Sequence, residues 1–442
     1  MRTPAPILAV YLSFPLLALT SAGCSSDDGA PASTSDSDAG TPPGDAGTDA
    51  GATPPPFPTT DLAVDPSCAT AGCLRAIAPN AAASVGAGAL AAFGPAGAVF
   101  ENGLNASTVR YVSADGDEVT GTLFVPDAPA PAGGFPAVLL SQPTTGIGPK
   151  CAPSLGLLST AIAAHVASRG FVVLMPDATS FGAPPFAPYM LKSAAGKATL
   201  DGARVLLRIG TAANTKVRRE VVFAGHSQGA HTTLSAAELW KSYAPEVPAR
   251  GFAVNAPPSG FLEGATFALA TPGAVGYFLA MRMWSWRRAL DTSQPPIFVG
   301  TFAQTEEATF QECQNEGTNP ATGALPDLVP ANADGVVNPV YLQMARAGVS
   351  GWAEPWKTWH VENVPKPKTL GVPVVVWQGA ADLTVLPSDT RKYVAELRAG
   401  GLDVDLREVA GAKHNDCAMG PVTLPQAAGE DFVAWVRARF GS

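Results

Sequence analysis

Charge is scarce in this sequence of 442 residues, where Asp, Glu, Lys and Arg together make up 15% against 46% hydrophobic residues. Basic charge is scarcer still: 28 Lys and Arg stand against 37 Asp and Glu, for a formal net charge of -9. Nothing resembles a basic stripe able to displace counterions from a phosphate backbone, which argues against nucleic acid as a partner. Histidine is rare, with five copies, and none lies near Cys68 or Cys73, so that close cysteine pair is a poor zinc site. The apolar run at residues 7–20 is interrupted by Pro15 and is short for a bilayer span. A channel or transporter therefore has no support beyond that segment.

What the N-terminus does have is the order of an export signal. MRTPAPILAVYLSFPLLALTSAGC, residues 1–24, gives a weak positive start at Arg2, then the apolar run, then small residues. The SAGC ending resembles a bacterial lipoprotein signal, although Ser21 stands where leucine is usual and Leu19 is displaced. That resemblance implies a lipidated Cys24 as mature N-terminus and membrane attachment through it, and Ser25 implies outer-membrane rather than inner-membrane retention. The alternatives are a periplasmic or a secreted chain. Residues 25–66 carry eight Asp, no Lys or Arg and almost no large apolar side chains. Such a stretch buries too little surface to offset its ordering entropy, and reads as a disordered tether. Export permits disulfides; CATAGC (68–73) is close enough to close a small loop, and with Cys24 lipidated one thiol is left over.

From about residue 107 strand-like and helix-like stretches alternate. VRYVSADGDEVTGTLFVPD reads as a hairpin, and PAVLLSQ (136–142) and GFVVLMPD (170–177) as strands buried on both faces. SLGLLSTAIAAHVASRG and KATLDGARVLLRIG (197–210) are helix candidates, and VVFAGHSQGAHTTLSAAELW (221–240) runs strand, turn, helix. Further runs at RGFAVNAPP, VPVVVWQGAAD and VDLREVAGAKH precede a last helix, QAAGEDFVAWVRARF. This order is the α/β-hydrolase plan: a mostly parallel central sheet flanked by helices, spanning residues 67–442.

G-x-S-x-G is short enough to occur by chance, but here Ser227 falls where strand becomes helix, on a turn for which Gly225 and Gly229 leave room. A helix starting there aims the Gln228 amide at a developing oxyanion. A serine hydroxyl is a poor nucleophile without a base. His226 and His231 are too close in sequence to approach from above, His165 lies in a helix candidate, and His360 lies in a long insertion. His414, in EVAGAKHNDCAMG between the last strand and the last helix, is where this fold delivers its base. Asp382 ends the VVVWQGAAD run and is the candidate acid; its rival Asp416 is only two residues from His414 and reads as a cap or a solvent-facing carboxylate.

With these residues placed, residues 90–440 resemble the bacterial relatives of the secretory lipase family, which includes fungal lipases with a large helical cap. PTTGIGPKCAPSLG (143–156) resembles the family's H-G-T-T-G stretch leading into C-A-P-S, PYMLKSAAGKATLDGARVL its segment before the nucleophile strand, GHSQGAH its elbow, and WQGAADLTVLP its H-G-x-x-D-x-x-V-P acid loop. The resemblance implies a carboxylic ester hydrolase, lipase or esterase, acting through an acyl-enzyme without metal or organic cofactor on an ester with an acyl chain. It implies an oxyanion hole formed by Gln228 with Thr144 or Thr145, a helical cap at about residues 259–370, and a Cys151–Cys313 staple between cap and core, with Cys68–Cys73 as second bridge and Cys417 free. Ser141-Gln142-Pro143 departs from the pattern where His-Gly is usual, and proline cannot donate an N–H. The Met, Phe and Trp residues at 278–286 read as helical packing or, by the resemblance, as apolar surface over an acyl pocket, and the two are compatible. Another acyl substrate (a polyester, a cell-envelope ester or a peptide) and a noncatalytic surface-binding lipoprotein are the competing expectations.

Overall fold

Runs of Val, Leu and Phe without polar alternation need cover on both sides, and the sheet meets that need with helices on each face. The computed structural model describes residues 54–81, 83–93, 99–155, 157–177, 186–271, 276–313, 333–416 and 426–441. Among them, nine strands form one sheet: β1 (Leu74–Pro79), β2 (Leu104–Val112), β3 (Glu118–Pro126), β4 (Phe135–Ser141), β5 (Val172–Pro176), β6 (Val217–His226), β7 (Ala249–Asn255), β8 (Val374–Gly379) and β9 (Val404–Val409). Their order is β1-β2-β3-β5-β4-β6-β7-β8-β9. The first three and the β3–β5 pair are antiparallel, and every pair from β5 to β9 is parallel.

The helices in chain order are α1 (Ala87–Phe93), α2 (Leu157–Ser168), α3 (Lys192–Leu206), α4 (Gln228–Tyr243), α5 (Phe261–Ala270), α6 (Tyr277–Leu290), α7 (Glu306–Gln311), α8 (Pro339–Arg346), α9 (Trp356–Glu362), α10 (Pro387–Ala399) and α11 (Gln426–Arg439). The period of two along each strand sorts the core into two layers. Leu139, Phe223, Val374 and Val376 face the layer of α3, α4 and α10. Val138, Leu140, Val222, Ala224, Val375 and Trp377 face the layer of α2 and α11. The fold is the expected α/β-hydrolase plan. Because β5 and β6 lie on opposite sides of β4, the carboxyl ends of β4 and β6 meet where the connections reverse direction. Open α/β sheets bind ligands at such a point.

Five helices, α5 to α9, fall between β7 and β8, so the insertion at 259–370 is helical as expected. Its aromatic residues pack inward. Trp284 meets Phe186 and Phe310, and Trp286 meets Phe261 and His360, with both tryptophans buried. These contacts show the helical packing of the Met, Phe and Trp run; among its large side chains Phe278 is substantially exposed.

Cys68–Cys73 and Cys151–Cys313 are disulfides, the second joining segments 162 residues apart. Cys151 lies in the loop after β4 and Cys313 just after α7, and Lys150 pairs with Glu312 at 2.8 Å beside them. This bridge ties the cap to the loop that reaches the site. Cys151→Ser is expected to lower unfolding free energy by about 2–5 kcal/mol, read as a fall in the denaturation midpoint that reductant abolishes by bringing the native protein down to the same level.

Cys24, residues 1–24 and Cys417 lie outside the described residues. The described chain starts at Pro54, inside the stretch read as a tether, and that part is bound to the core. The Leu62 amide donates to the Arg208 carbonyl at 2.8 Å, Asp61 pairs with Arg219 at 2.8 Å, and Phe57 and Leu62 pack on the core. One carboxylate meeting a guanidinium and two apolar side chains meeting a groove anchor a segment whose composition alone argues for disorder.

Candidate active site

β6 ends at His226 and α4 begins at Gln228, which leaves Ser227 alone at the junction with φ 55° and ψ -117°. A non-glycine residue held there stores about 1–3 kcal/mol and persists only where its surroundings fix it. The fixing contacts are present: the Ser227 amide donates to the Asn255 carbonyl at 2.9 Å, and its carbonyl accepts from Ala230 and His231 at 2.9 and 3.1 Å. Both neighbouring glycines are obligatory. A Cβ at position 225 would stand 2.1 Å from the Gly229 carbonyl oxygen, and one at 229 would stand 2.1 Å from that of Ser141. The second approach also shows that the loop after β4 lies directly on the first turn of α4.

His414, from the loop after β9, brings Nε2 to 3.0 Å from Ser227 Oγ and Nδ1 to 2.8 Å from Asp382 Oδ2. With Nδ1–H donating to the carboxylate, Nε2 is left as acceptor for the serine hydroxyl. Asp382 follows β8 and is buried. Its Oδ1 accepts from the Thr384 and Val385 amides at 2.8 and 2.9 Å, and its Oδ2 accepts from Gln378 Nε2 at 3.1 Å. Burial pushes this carboxyl up, but the His414 hydrogen bond and charge and the two amides outweigh it and hold it below the ordinary value. The three residues singled out from the sequence are thus brought into one hydrogen-bonded line. Asp416, the rival acid, accepts from the Lys413 amide at 2.9 Å and closes the turn before His414.

Gln378 escaped sequence reasoning. It is fully buried, donates to Asp382 and to the Val385 carbonyl, and accepts from Thr390 Oγ1 at 2.6 Å, so its amide locks the acid loop to α10. It stands where the resembled motif has His, and that mismatch was the available signal. Of the oxyanion candidates, Thr144 shares a hydrogen bond of 2.9 Å with the hydroxyl of Tyr189, while Thr145 and Gln228 are buried. Asp177 is the second residue that sequence reasoning missed. Its carboxylate accepts from the Ser154 amide and hydroxyl at 2.8 and 2.7 Å and from Thr120 Oγ1 at 2.6 Å, so the serine of C-A-P-S anchors the oxyanion-side loop to the end of β5.

The other histidines, His165, His226, His231 and His360, are buried. Burial holds His165 and His231 down to about 4 and His226 down to about 3, His226 also through the charge of His414, whose ring lies 4.8 Å away. Unfolded histidine titrates near 6.5, so between that pH and about 4 the unfolded chain binds more protons and stability falls as pH falls. His165, far from the triad in α2, isolates the effect. Between pH 6.5 and 4, His165→Leu is expected to lose about 3 kcal/mol less stability than the native chain. Urea denaturation at the two pH values measures the difference, and equal losses would contradict a neutral buried imidazole. Among the described residues, no group of three or more His, Cys, Asp or Glu is placed to hold a metal ion.

Fold and site together define a capped α/β-hydrolase, with a serine, a histidine and an aspartate aligned at the carboxyl edge of its sheet. The secretory lipase family model matches residues 153–266. Comparison with curated proteins gives no match. Among solved structures, a Legionella pneumophila protein aligns over 83% of this chain and 98% of its own at 15% identity and TM-score 0.67. The rice cell wall degrading esterase LipA from Xanthomonas oryzae aligns over 84% and 97% at 16% identity and TM-score 0.64. Candida antarctica lipase A in its closed state aligns over 84% and 91% at 20% identity and TM-score 0.54. At such identities the likeness establishes the fold alone, and the secretory lipase match is confined to residues 153–266.

Proposed function

We propose that this chain is a carboxylic ester hydrolase with Ser227 as nucleophile, His414 as base and Asp382 as the acid that orients it. The observation that carries the reading is the Ser227–His414–Asp382 line at 3.0 and 2.8 Å on a strained elbow. His414 Nε2 takes the hydroxyl proton as Ser227 Oγ attacks the ester carbonyl. The oxyanion accepts from the Gln228 amide, at the start of α4, and from the Thr144 or Thr145 amide in the loop pressed against it. The imidazolium then gives its proton to the leaving alcohol, and water repeats the two steps in reverse on the acyl-enzyme.

Pro143 precedes both threonines, so its missing N–H removes no donor from either. The Thr144 hydroxyl is engaged by Tyr189, which favours the backbone amides as the donors. Substrate is an ester with an acyl chain. The N-terminal reading, lipidation at Cys24 and outer-membrane attachment, belongs to the same proposal and is tested by mass analysis of the mature N-terminus. Among the described residues no helix is long and apolar enough to cross a membrane.

Hydrolysis of p-nitrophenyl esters from acetyl to palmitoyl tests the activity. The rate as a function of chain length separates esterase from lipase. No hydrolysis of any member by folded protein would overturn the ester-hydrolase reading.

A further inference from the structure

Among the described residues Arg282, in the cap helix α6, is a buried charge with no ion-pair partner. It is 9% exposed, and its Nε is buried without an acceptor. Its visible partners are few: Nη2 donates to the Phe261 carbonyl at 3.0 Å, and the guanidinium lies 4.2 Å from the Phe261 ring centre and 5.4 Å from that of Trp286. Burial draws it down to about 10. Two rings and one carbonyl recover part of what a guanidinium loses on leaving water, and they leave part of a five-donor fork unused. Leucine or methionine would fill the same space between the rings without that cost.

The position of this charge relates it to the reaction. Phe261 stacks on His231 with ring centres 5.5 Å apart, and the His231 amide donates to the Ser227 carbonyl at 3.1 Å. On the other side, Trp286, whose ring the guanidinium faces, donates its Nε1–H to the Tyr189 carbonyl at 2.7 Å, and the Tyr189 hydroxyl shares a hydrogen bond with Thr144. Arg282 therefore stands behind the wall beside the nucleophile and next to the loop assigned to the oxyanion. Two side chains separate it from Ser227, so the carboxylate released at the scissile bond is not its match.

We propose that Arg282 is a specificity-determining residue whose unused donors bind a second carboxylate, carried by the ester substrate several bonds from the scissile carbonyl. A guanidinium matches a carboxylate in bidentate geometry, and an anion supplies the countercharge that the described residues do not. The inference rests on the ester-hydrolase reading. It distinguishes this chain from a hydrolase of neutral fats, whose substrates carry no such group. The second carboxylate belongs either to the acyl part or to the alcohol part.

Two pairs of substrates separate these sources. p-Nitrophenyl hydrogen adipate against p-nitrophenyl hexanoate places the carboxylate on the acyl side. The butyrate ester of 4-hydroxybenzoate against that of 4-methylphenol places it on the alcohol side. The expected result is a kcat/KM ratio favouring the charged member of one pair by about tenfold or more. Arg282→Gln should reduce that ratio by at least about tenfold, with partial recovery in Arg282→Lys. A native chain that prefers the neutral member of both pairs overturns the proposal, whether or not the variants fold. So does a ratio unchanged in Arg282→Gln. Hydrolysis of neutral esters without charge preference fails the inference alone, whereas hydrolysis of none of the four fails the ester-hydrolase reading beneath it.

Discussion

Ser227→Ala is expected to lower kcat for p-nitrophenyl ester hydrolysis by about 10⁶-fold while leaving the thermal midpoint within a few degrees of native. The elbow is fixed by backbone contacts, from the Ser227 amide to Asn255 and from Ala230 and His231 to the Ser227 carbonyl, and none of these uses the hydroxyl. The side chain contributes one bond, to His414 Nε2 at 3.0 Å. Removing it therefore removes the proposed nucleophile and little else. His414→Ala should cost as much, and the double variant no more than either alone, because a base without its nucleophile has nothing to activate. Additive losses would mean that the two side chains act independently, and residual activity within a hundredfold of native would point to another nucleophile.

Asp382→Asn is the second large effect, with an expected fall in kcat of about 10⁴-fold. The reason lies in the contacts around the carboxylate. Thr384 and Val385 both present N–H groups to Oδ1 at 2.8 and 2.9 Å, so an asparagine would turn its carbonyl oxygen toward them. Its NH₂ would then face His414 Nδ1 and require that nitrogen as an acceptor. The imidazole proton would move to Nε2, opposite Ser227 Oγ, where a base is needed. Kinetic analysis of the purified variant should find kcat reduced with KM little changed, since the carboxylate orients the base and does not meet substrate. A loss below tenfold would show that His414 keeps its tautomer by other means.

Local patterns carried much of this architecture. The runs that became β4 to β8 were legible because a strand covered on both faces tolerates few polar residues. The elbow was legible because a tight strand-to-helix turn demands small residues at fixed offsets. Other elements, β1 and α10 among them, were missed for the converse reason. β1, LRAIAP, is an edge strand with half-buried residues and no clean alternation, and it gains its definition from pairing with β2. α10, PSDTRKYVAELRA, lay in sight with Pro387 at its start and Asp389 in its first turn, but its apolar face becomes meaningful only against β8 and β9.

By itself the sequence determined the central strands and their helices, the serine on a tight turn and the short list of five histidines and two aspartates to serve it, because each of these depends on chemistry within a few neighbouring residues. Only the tertiary structure decided which of them meet. His414 and Ser227 are 187 residues apart, and Cys151 and Cys313 are 162 apart, so their approach depends on the sheet's strand order and not on any local pattern. The same holds for Gln378 locking the acid loop and for Arg282, which meets no carboxylate among the described residues. Satisfaction of a buried polar group is a property of everything packed around it, and that is settled when the layers close.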